Sequence, residues 1–386
     1  GDRSGAGNRG SRWHQPRPPH PANKRGIALF ASVAPEYAAD LSPGIDAINS
    51  QNADLYGQLN TLRTRPFFRL YSVDILASCE YIPQELFECY SESCEIYPVD
   101  DDEVPGQMKD ADAEEHDFEL DGWARWDMPT EDYYDTTQFP EEFTGYDGAE
   151  VWRFIHERIA FQGSEIVDEY NDDSWKADFN RVVSGLHAMI SAQVCRGIGD
   201  KIASGMADEN ETEWTDPKAE FDRRLGPSGE APKAIENLYF TYMLLLSAVG
   251  KAKERLLADC NSGKIDAETA SEIQPILSSS LLDDSSIGAA SEKLHNHARK
   301  DDSNLWEARM RARELMRIMN CVQCNKCRLH GKISVMGIST ALNLLLGQTG
   351  AGGDAKKIHR LELAALMTTL GKFATAVDYC QYMLED

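Results

Sequence analysis

Nine cysteines offer most of the chemistry in this chain, and six of them fall in two tight clusters: Cys79, Cys89 and Cys94, then Cys321, Cys324 and Cys327. Cys195, Cys260 and Cys380 stand apart, with no partner assigned by spacing. A chain of 386 residues can bury a large core, so disulfides are not needed merely to hold it together. Clustering therefore points to redox chemistry or to metal.

The second cluster reads Cys321-Val-Gln-Cys324-Asn-Lys-Cys327-Arg-Leu-His330, where one helical pattern closes and the next opens. Three chemistries fit. Zinc would use the three thiolates with His330 as fourth ligand. An iron–sulfur site would expect a fourth cysteine near 331, but that residue is Gly331. A redox C-x-x-C needs only one reactive pair at a helix start, where unpaired N–H groups and the helix dipole lower a thiol pKa. Lys326 and Arg328 add positive charge in the same turn. In the first cluster, Cys89 and Cys94 lie in an irregular acidic stretch, where a C-x4-C pair can close a small disulfide and swing, or can be a plain loop staple. Two exchange-competent pairs in one chain would make a relay, one pair meeting an outside thiol and the other an electron acceptor.

Electron acceptors with a dinucleotide half are often held by a glycine-rich turn, and none is present. Gly347-Gln-Thr-Gly350-Ala-Gly352-Gly353 lacks both the dinucleotide spacing and the Lys-Ser/Thr of a P-loop. Three other features could make a platform for a ring system. Ser184 and His187 are three apart and share a helix face. Trp152 follows the turn Thr144-Gly-Tyr-Asp-Gly148 and could stack on a ring, and Arg224 could reach a pyrophosphate. Each has a plainer reading as well: core histidine, core tryptophan, solvated surface charge.

The elements that must position these groups are mostly helices. Helical spacing predicts a weak pattern over about 40–75, then helices over 148–161, 176–200, 231–259, 266–279, 288–320, 324–347 and 358–384, with Pro217, Gly226, Pro227 and Gly263 between them. Strand-like alternation is scarce. Residues 1–26, rich in Gly, Arg and Pro, read as a disordered arm. Residues 76–146 read as one long irregular loop, carrying Cys79, Cys89, Cys94 and the acidic run Asp100-Asp-Asp-Glu103. We expect one large all-α domain over 27–386 with that mobile loop in front of it.

Charge narrows the partners. With 39 Lys and Arg against 64 Asp and Glu, the net charge is −25. That disfavours nucleic acid and anionic membrane surfaces. The longest apolar run, Leu238 to Val249, is well short of the roughly 20 residues that span a bilayer. The first residues carry no signal-peptide core, which fits a cytosolic chain or one already processed. Asn210-Glu-Thr212 matches the N-glycosylation pattern, and the ending Met383-Leu-Glu-Asp386 is not a retention signal.

Taken together, the blocks Thr144-Gly-Tyr-Asp-Gly148 with Trp152-Arg-Phe-Ile, Ser184-Gly-Leu-His-Ala188, Asn237-Leu-Tyr-Phe240, Cys321 to Lys332, and Gly337-Ile-Ser-Thr-Ala-Leu342 resemble the endoplasmic reticulum oxidoreductin family of thiol oxidases, in the family's order, over about 65–385. The resemblance implies a helical domain cradling FAD in a four-helix core. It implies an inner disulfide Cys324–Cys327, an outer shuttle disulfide Cys89–Cys94, and a structural bond Cys79–Cys321, with no metal. Thr144, Trp152, Ser184, His187 and Arg224 would contact FAD. Electrons would pass from a protein disulfide isomerase, or a related thioredoxin-fold protein, to the outer pair, the inner pair, FAD and oxygen, giving hydrogen peroxide in the lumen of the reticulum. A peripheral position on the lumenal membrane face is compatible with this scheme.

The chain departs from the family pattern at several points. Glu142 and Ala234 stand where the family has arginines, so two cations are missing beside an anionic cofactor; Lys233 and Arg223 are nearby candidates to replace them. Val99 replaces a cysteine that some members use to trap the outer pair, and Ala160 stands where one cysteine of a family structural pair would be. Two rival readings follow: a zinc-binding adaptor using Cys321, Cys324, Cys327 and His330, and an inactive scaffold that has lost the oxidase chemistry.

Overall fold

The computed structural model describes residues 35–63, 65–68, 175–203, 216–225, 231–299, 325–346, 358 and 360–385, with helical positions at Asn304, Glu307, Arg311 and Ala312. For some helical residues, Cys327 among them, only the backbone is described. The arm over 1–26, the loop over 76–146 and the helix over 148–161 lie outside the described residues.

Among the described residues every element is helical and no strand occurs, as the all-α reading requires. The helices are α1 (Pro35–Arg63), α2 (Trp175–Ala203), α3 (Pro217–Leu225), α4 (Ala231–Asn261), α5 (Ala267–Leu277), α6 (Ser285–Ala298), α7 (Asn325–Leu346) and α8 (Arg360–Glu385). Short 3-10 turns sit at Pro66–Phe68 and Ser280–Asp283.

Four helices make the core. α2 and α7 each pack on both α4 and α8, and α4 meets α8 between them, which closes a four-helix bundle. α4 is central because its middle is buried on every side: from Leu238 to Leu246 each residue is buried, and Ala248 and Val249 follow. α8 contributes Leu363 to Met367, Leu370, Phe373 and Val377. α1 leans on α8, and buried hydrogen bonds fix it there. Tyr242 OH donates to Asn52 Oδ1 at 2.9 Å, and Asn52 Nδ2 donates to the Ala374 carbonyl at 3.0 Å. Both Asn52 groups are thereby satisfied inside the core.

Three boundaries differ from the sequence reading. The first helix stops at Arg63 rather than near 75, because Pro66 disfavours helical backbone at the residue before it. The predicted helix 288–320 is interrupted: α6 stops at Ala298 with Arg299 as its cap, Asn304 Nδ2 donates to the carbonyls of His297 and Ala298 at 3.5 and 3.4 Å, and the described positions 304, 307, 311 and 312 are helical again. α3 was not foreseen. Asp216 accepts from the backbone N–H groups of Lys218 and Ala219 at 2.9 and 3.2 Å, and Pro217 takes the first helical position, a start signal the reading placed in a connection.

Candidate functional site

The described part of the site is the crossing of α2 and α4. Gly185 makes that crossing close. A Cβ there would overlap the Thr241 side chain and the Asn237 carbonyl, and would stand 2.9 Å from Thr241 Cβ. Only a residue without a side chain lets the two helices approach this far. The approach brings the Asn237 side chain to Ser184, and Asn237 Nδ2 donates to Ser184 Oγ at 3.0 Å. His187 is half-buried one turn further along the same face of α2.

A buried polar chain runs behind this pair. Arg181, one turn before Ser184, donates from Nε to Asn237 Oδ1 at 3.3 Å and lies over the Phe240 ring at 4.0 Å. Arg181 Nη1 is 3.9 Å from Asp178 Oδ1, and the other carboxylate oxygen of Asp178 is 2.8 Å from His297 Nδ1 on α6. Asp178, Arg181 and Asn237 are all almost fully buried. Charged groups this far from water are tolerated when each is paired, as Asp178 is from two sides.

Glu236, the neighbour of Asn237 on α4, is also buried, and its Oε1 has no hydrogen-bond partner among the described residues. Burial raises its carboxyl above the ordinary range, opposed by the positive charges of Arg181 and Lys233. The site wall is thus basic at Arg181, weakly acidic at Glu236, and neutral at Ser184 and Asn237.

A matching close contact lies on the other side of the bundle. A Cβ on Gly337 of α7 would overlap the Thr369 side chain of α8 and stand 2.6 Å from the Ala365 carbonyl. Two glycines from the sequence blocks therefore set the spacing of two helix pairs. α7 itself begins at Asn325, the residue after Cys324, so Cys327 is its third residue. Further along α7, Ser334 accepts from the fully buried Lys372 Nζ at 3.0 Å.

Comparison with known proteins places this arrangement. A family model described as Endoplasmic Reticulum Oxidoreductin 1 (ERO1) matches residues 54–380. The chain belongs to that family. The human ERO1-like protein alpha is 27% identical over 94% of this chain and 92% of its own length, and the zebrafish protein of that name is 28% identical over 83% and 78%. A solved structure described as Ero1p, source of disulfide bonds for oxidative protein folding in the cell, superposes with TM-score 0.53 at 20% identity, over 88% of this chain and 98% of that one. A cysteine double mutant of S. cerevisiae Ero1p gives TM-score 0.50 at 20% identity, over 89% and 97%. These structures share the helical fold. Membership of the oxidoreductin family supports a thiol-oxidase role in oxidative folding.

Of the residues singled out in the sequence, Ser184 and His187 stand together on α2, at the crossing with the Asn237 block. Arg224 is the last residue but one of α3, which packs on α2; its side chain is not described. Cys79, Cys89, Cys94, Cys321, Cys324, His330's side chain, Glu142, Thr144 and Trp152 lie outside what is described. Among the described residues Cys260 and Cys380 are free thiols, and Cys195 is buried. Burial pushes the Cys380 thiol well up, with the neighbouring Cys195 acting in the same direction, and burial with Asp259 raises Cys260. Thiols held protonated are poor nucleophiles, so Cys260 and Cys380 suit packing better than exchange. Arg181, Glu236 and the Asp178–His297 pair escaped the sequence reading. The signal for Arg181 was available: a cation three residues before Ser184 on a helix that is otherwise largely apolar.

No described helix is long and apolar enough to cross a membrane.

Proposed function

We propose that this chain is an FAD-dependent thiol oxidase of the endoplasmic reticulum lumen that oxidises a protein disulfide isomerase and reduces oxygen to hydrogen peroxide. The observation that carries the reading is the family match over 54–380, which encloses both cysteine pairs and the Ser184–His187 face. The donor set on that face suits FAD. Ser184 and His187 offer a hydroxyl and an imidazole one turn apart, matched to the heteroatoms of a flavin or adenine ring. Thr144, Trp152 and Arg224 would complete the hold.

Cys89–Cys94 would meet the partner. A thiolate of the reduced isomerase attacks one sulfur and the other leaves; the isomerase's second thiolate then closes its own disulfide and leaves Cys89 and Cys94 as a dithiol. That dithiol exchanges in the same manner with Cys324–Cys327. Each exchange breaks one disulfide and makes one, so an electron pair moves inward without loss. Position 327 suits a thiolate, because it lies in the first turn of a 22-residue helix and Lys326 and Arg328 flank it. Cys79–Cys321 would tether the loop to the start of that helix. FAD, when bound, supplies the two-electron acceptor and the outlet to oxygen. The direction is downhill, since an isomerase couple sits near about −180 mV, far below oxygen.

Oxygen uptake tests this. The purified protein with a reduced isomerase should consume oxygen and release peroxide, and Cys94→Ala or Cys327→Ala should abolish turnover. Colourless protein carrying tightly bound zinc would favour the adaptor instead.

A further inference from the structure

We propose that Arg181 and Asn237 are positioning residues that turn the Ser184 hydroxyl proton toward the ligand, so that the contact Ser184 favours is with a ligand acceptor. This rests on the flavoenzyme reading above and adds the polarity of that contact.

The polarity follows from one group that cannot be reversed. A guanidinium carries five N–H donors and no acceptor. The atom of Asn237 that faces Arg181 Nε at 3.3 Å must therefore be the carbonyl oxygen. The amide nitrogen then faces Ser184 Oγ at 3.0 Å and donates to it. Ser184 is committed as an acceptor on that side, and its own proton has no acceptor among the described residues. The hydroxyl must point that proton elsewhere, and a half-buried position one turn from His187 puts it on the ligand face.

The chain of bonds is anchored at its far end. Asp178 holds Arg181 from one oxygen, and its other oxygen is taken by His297. The Phe240 ring at 4.0 Å flattens the guanidinium against α4. Arg181 thus has little freedom to release Asn237. A ligand carbonyl or ring nitrogen takes the Ser184 proton, whereas an N–H group could use only the remaining oxygen lone pair and would leave that proton without an acceptor.

Flavin release from the holoprotein tests the proposal, followed as the rise in flavin fluorescence after dilution. Asn237→Asp is nearly isosteric but offers an acceptor where the amide donated. Ser184 would then turn its proton to residue 237 and lose the ligand contact, and release should speed up about tenfold. Asn237→Ala removes the donor without adding an acceptor, leaves the hydroxyl free to turn either way, and should give a smaller change, about threefold. A purely structural role predicts the opposite order, because truncation disturbs packing more than an isostere does. Ser184→Ala should match Asn237→Asp, and the double variant Ser184→Ala with Asn237→Asp should be no worse than either alone.

Parent-like release from Asn237→Asp, a larger effect from Ala than from Asp, or effects that multiply in the double variant would overturn the proposal. If Asn237→Asp does not fold, the double variant Ser184→Ala with Asn237→Ala decides by the same criterion. A parent protein isolated without any flavin would overturn the flavoenzyme reading itself, a result distinct from flavin-loaded parent with an indifferent Asn237→Asp.

Discussion

Gly185 on α2 lies directly against the Thr241 side chain of α4, with no room for even a methyl group between them. This contact sets the distance at which Asn237 can reach Ser184. Gly185→Ala should therefore destabilise the fold by about 3 kcal/mol and loosen the site together with it. Gly57, on α1, is the control: a Cβ there meets nothing within 4 Å. Gly57→Ala should raise stability by about 0.5–1 kcal/mol, because alanine is the better helix former. Thermal unfolding of the two variants beside the parent checks both signs.

Asp178 pairs with both Arg181 and His297, and all three are buried. Asp178→Ala removes the carboxylate from a buried cation and should cost about 3–5 kcal/mol, measured by chemical denaturation. Asp178→Asn keeps the shape and one acceptor, and should cost less than half of that.

Glu236 gives a pH signature. Burial raises its folded pKa above the ordinary glutamate range, against the pull of Arg181 and Lys233. The folded state therefore binds the proton more tightly than the unfolded state. Its contribution is fully present below the unfolded pKa and is lost as pH rises through the raised folded value. Glu236→Gln keeps the shape and cannot ionise. It should match the parent at acid pH and be more stable on the order of 1 kcal/mol at pH 8, visible as a diverging pair of melting curves.

Asp284 shows the opposite sign. It caps α6, and its hydrogen bonds from the Ser286 side chain and from backbone N–H groups hold its carboxyl below the usual range. That contribution is present above the unfolded pKa and is lost as pH falls through the folded one. Asp284→Ala should cost about 1 kcal/mol at neutral pH, and the difference should shrink in acid.

Much of the scaffold was legible because the long helices bury themselves through periodicity. The reading of 231–259 became Ala231–Asn261, and 324–347 became Asn325–Leu346. The differences have local causes: Pro66 cuts the first helix short, the Asp216 cap with Pro217 starts α3, and the turn at Arg299 interrupts a helical pattern that has resumed by Asn304. The Ser184–His187 face was legible from its spacing. The bond from Asn237, fifty-three residues away, was not, because nothing local in either block records which helices will cross. The same holds for Asp178 and His297, which lie on different helices and are separated by 119 positions.

The most direct measurement is made without oxygen. The yellow protein is mixed rapidly with a reduced thioredoxin-fold dithiol protein, and the visible flavin band is followed. The band should bleach at a rate that rises with dithiol concentration in the parent, and should persist when Cys327 or Cys324 is replaced by Ala. Bleaching that is unchanged in those two variants, or a parent with no visible band to bleach, would contradict the relay.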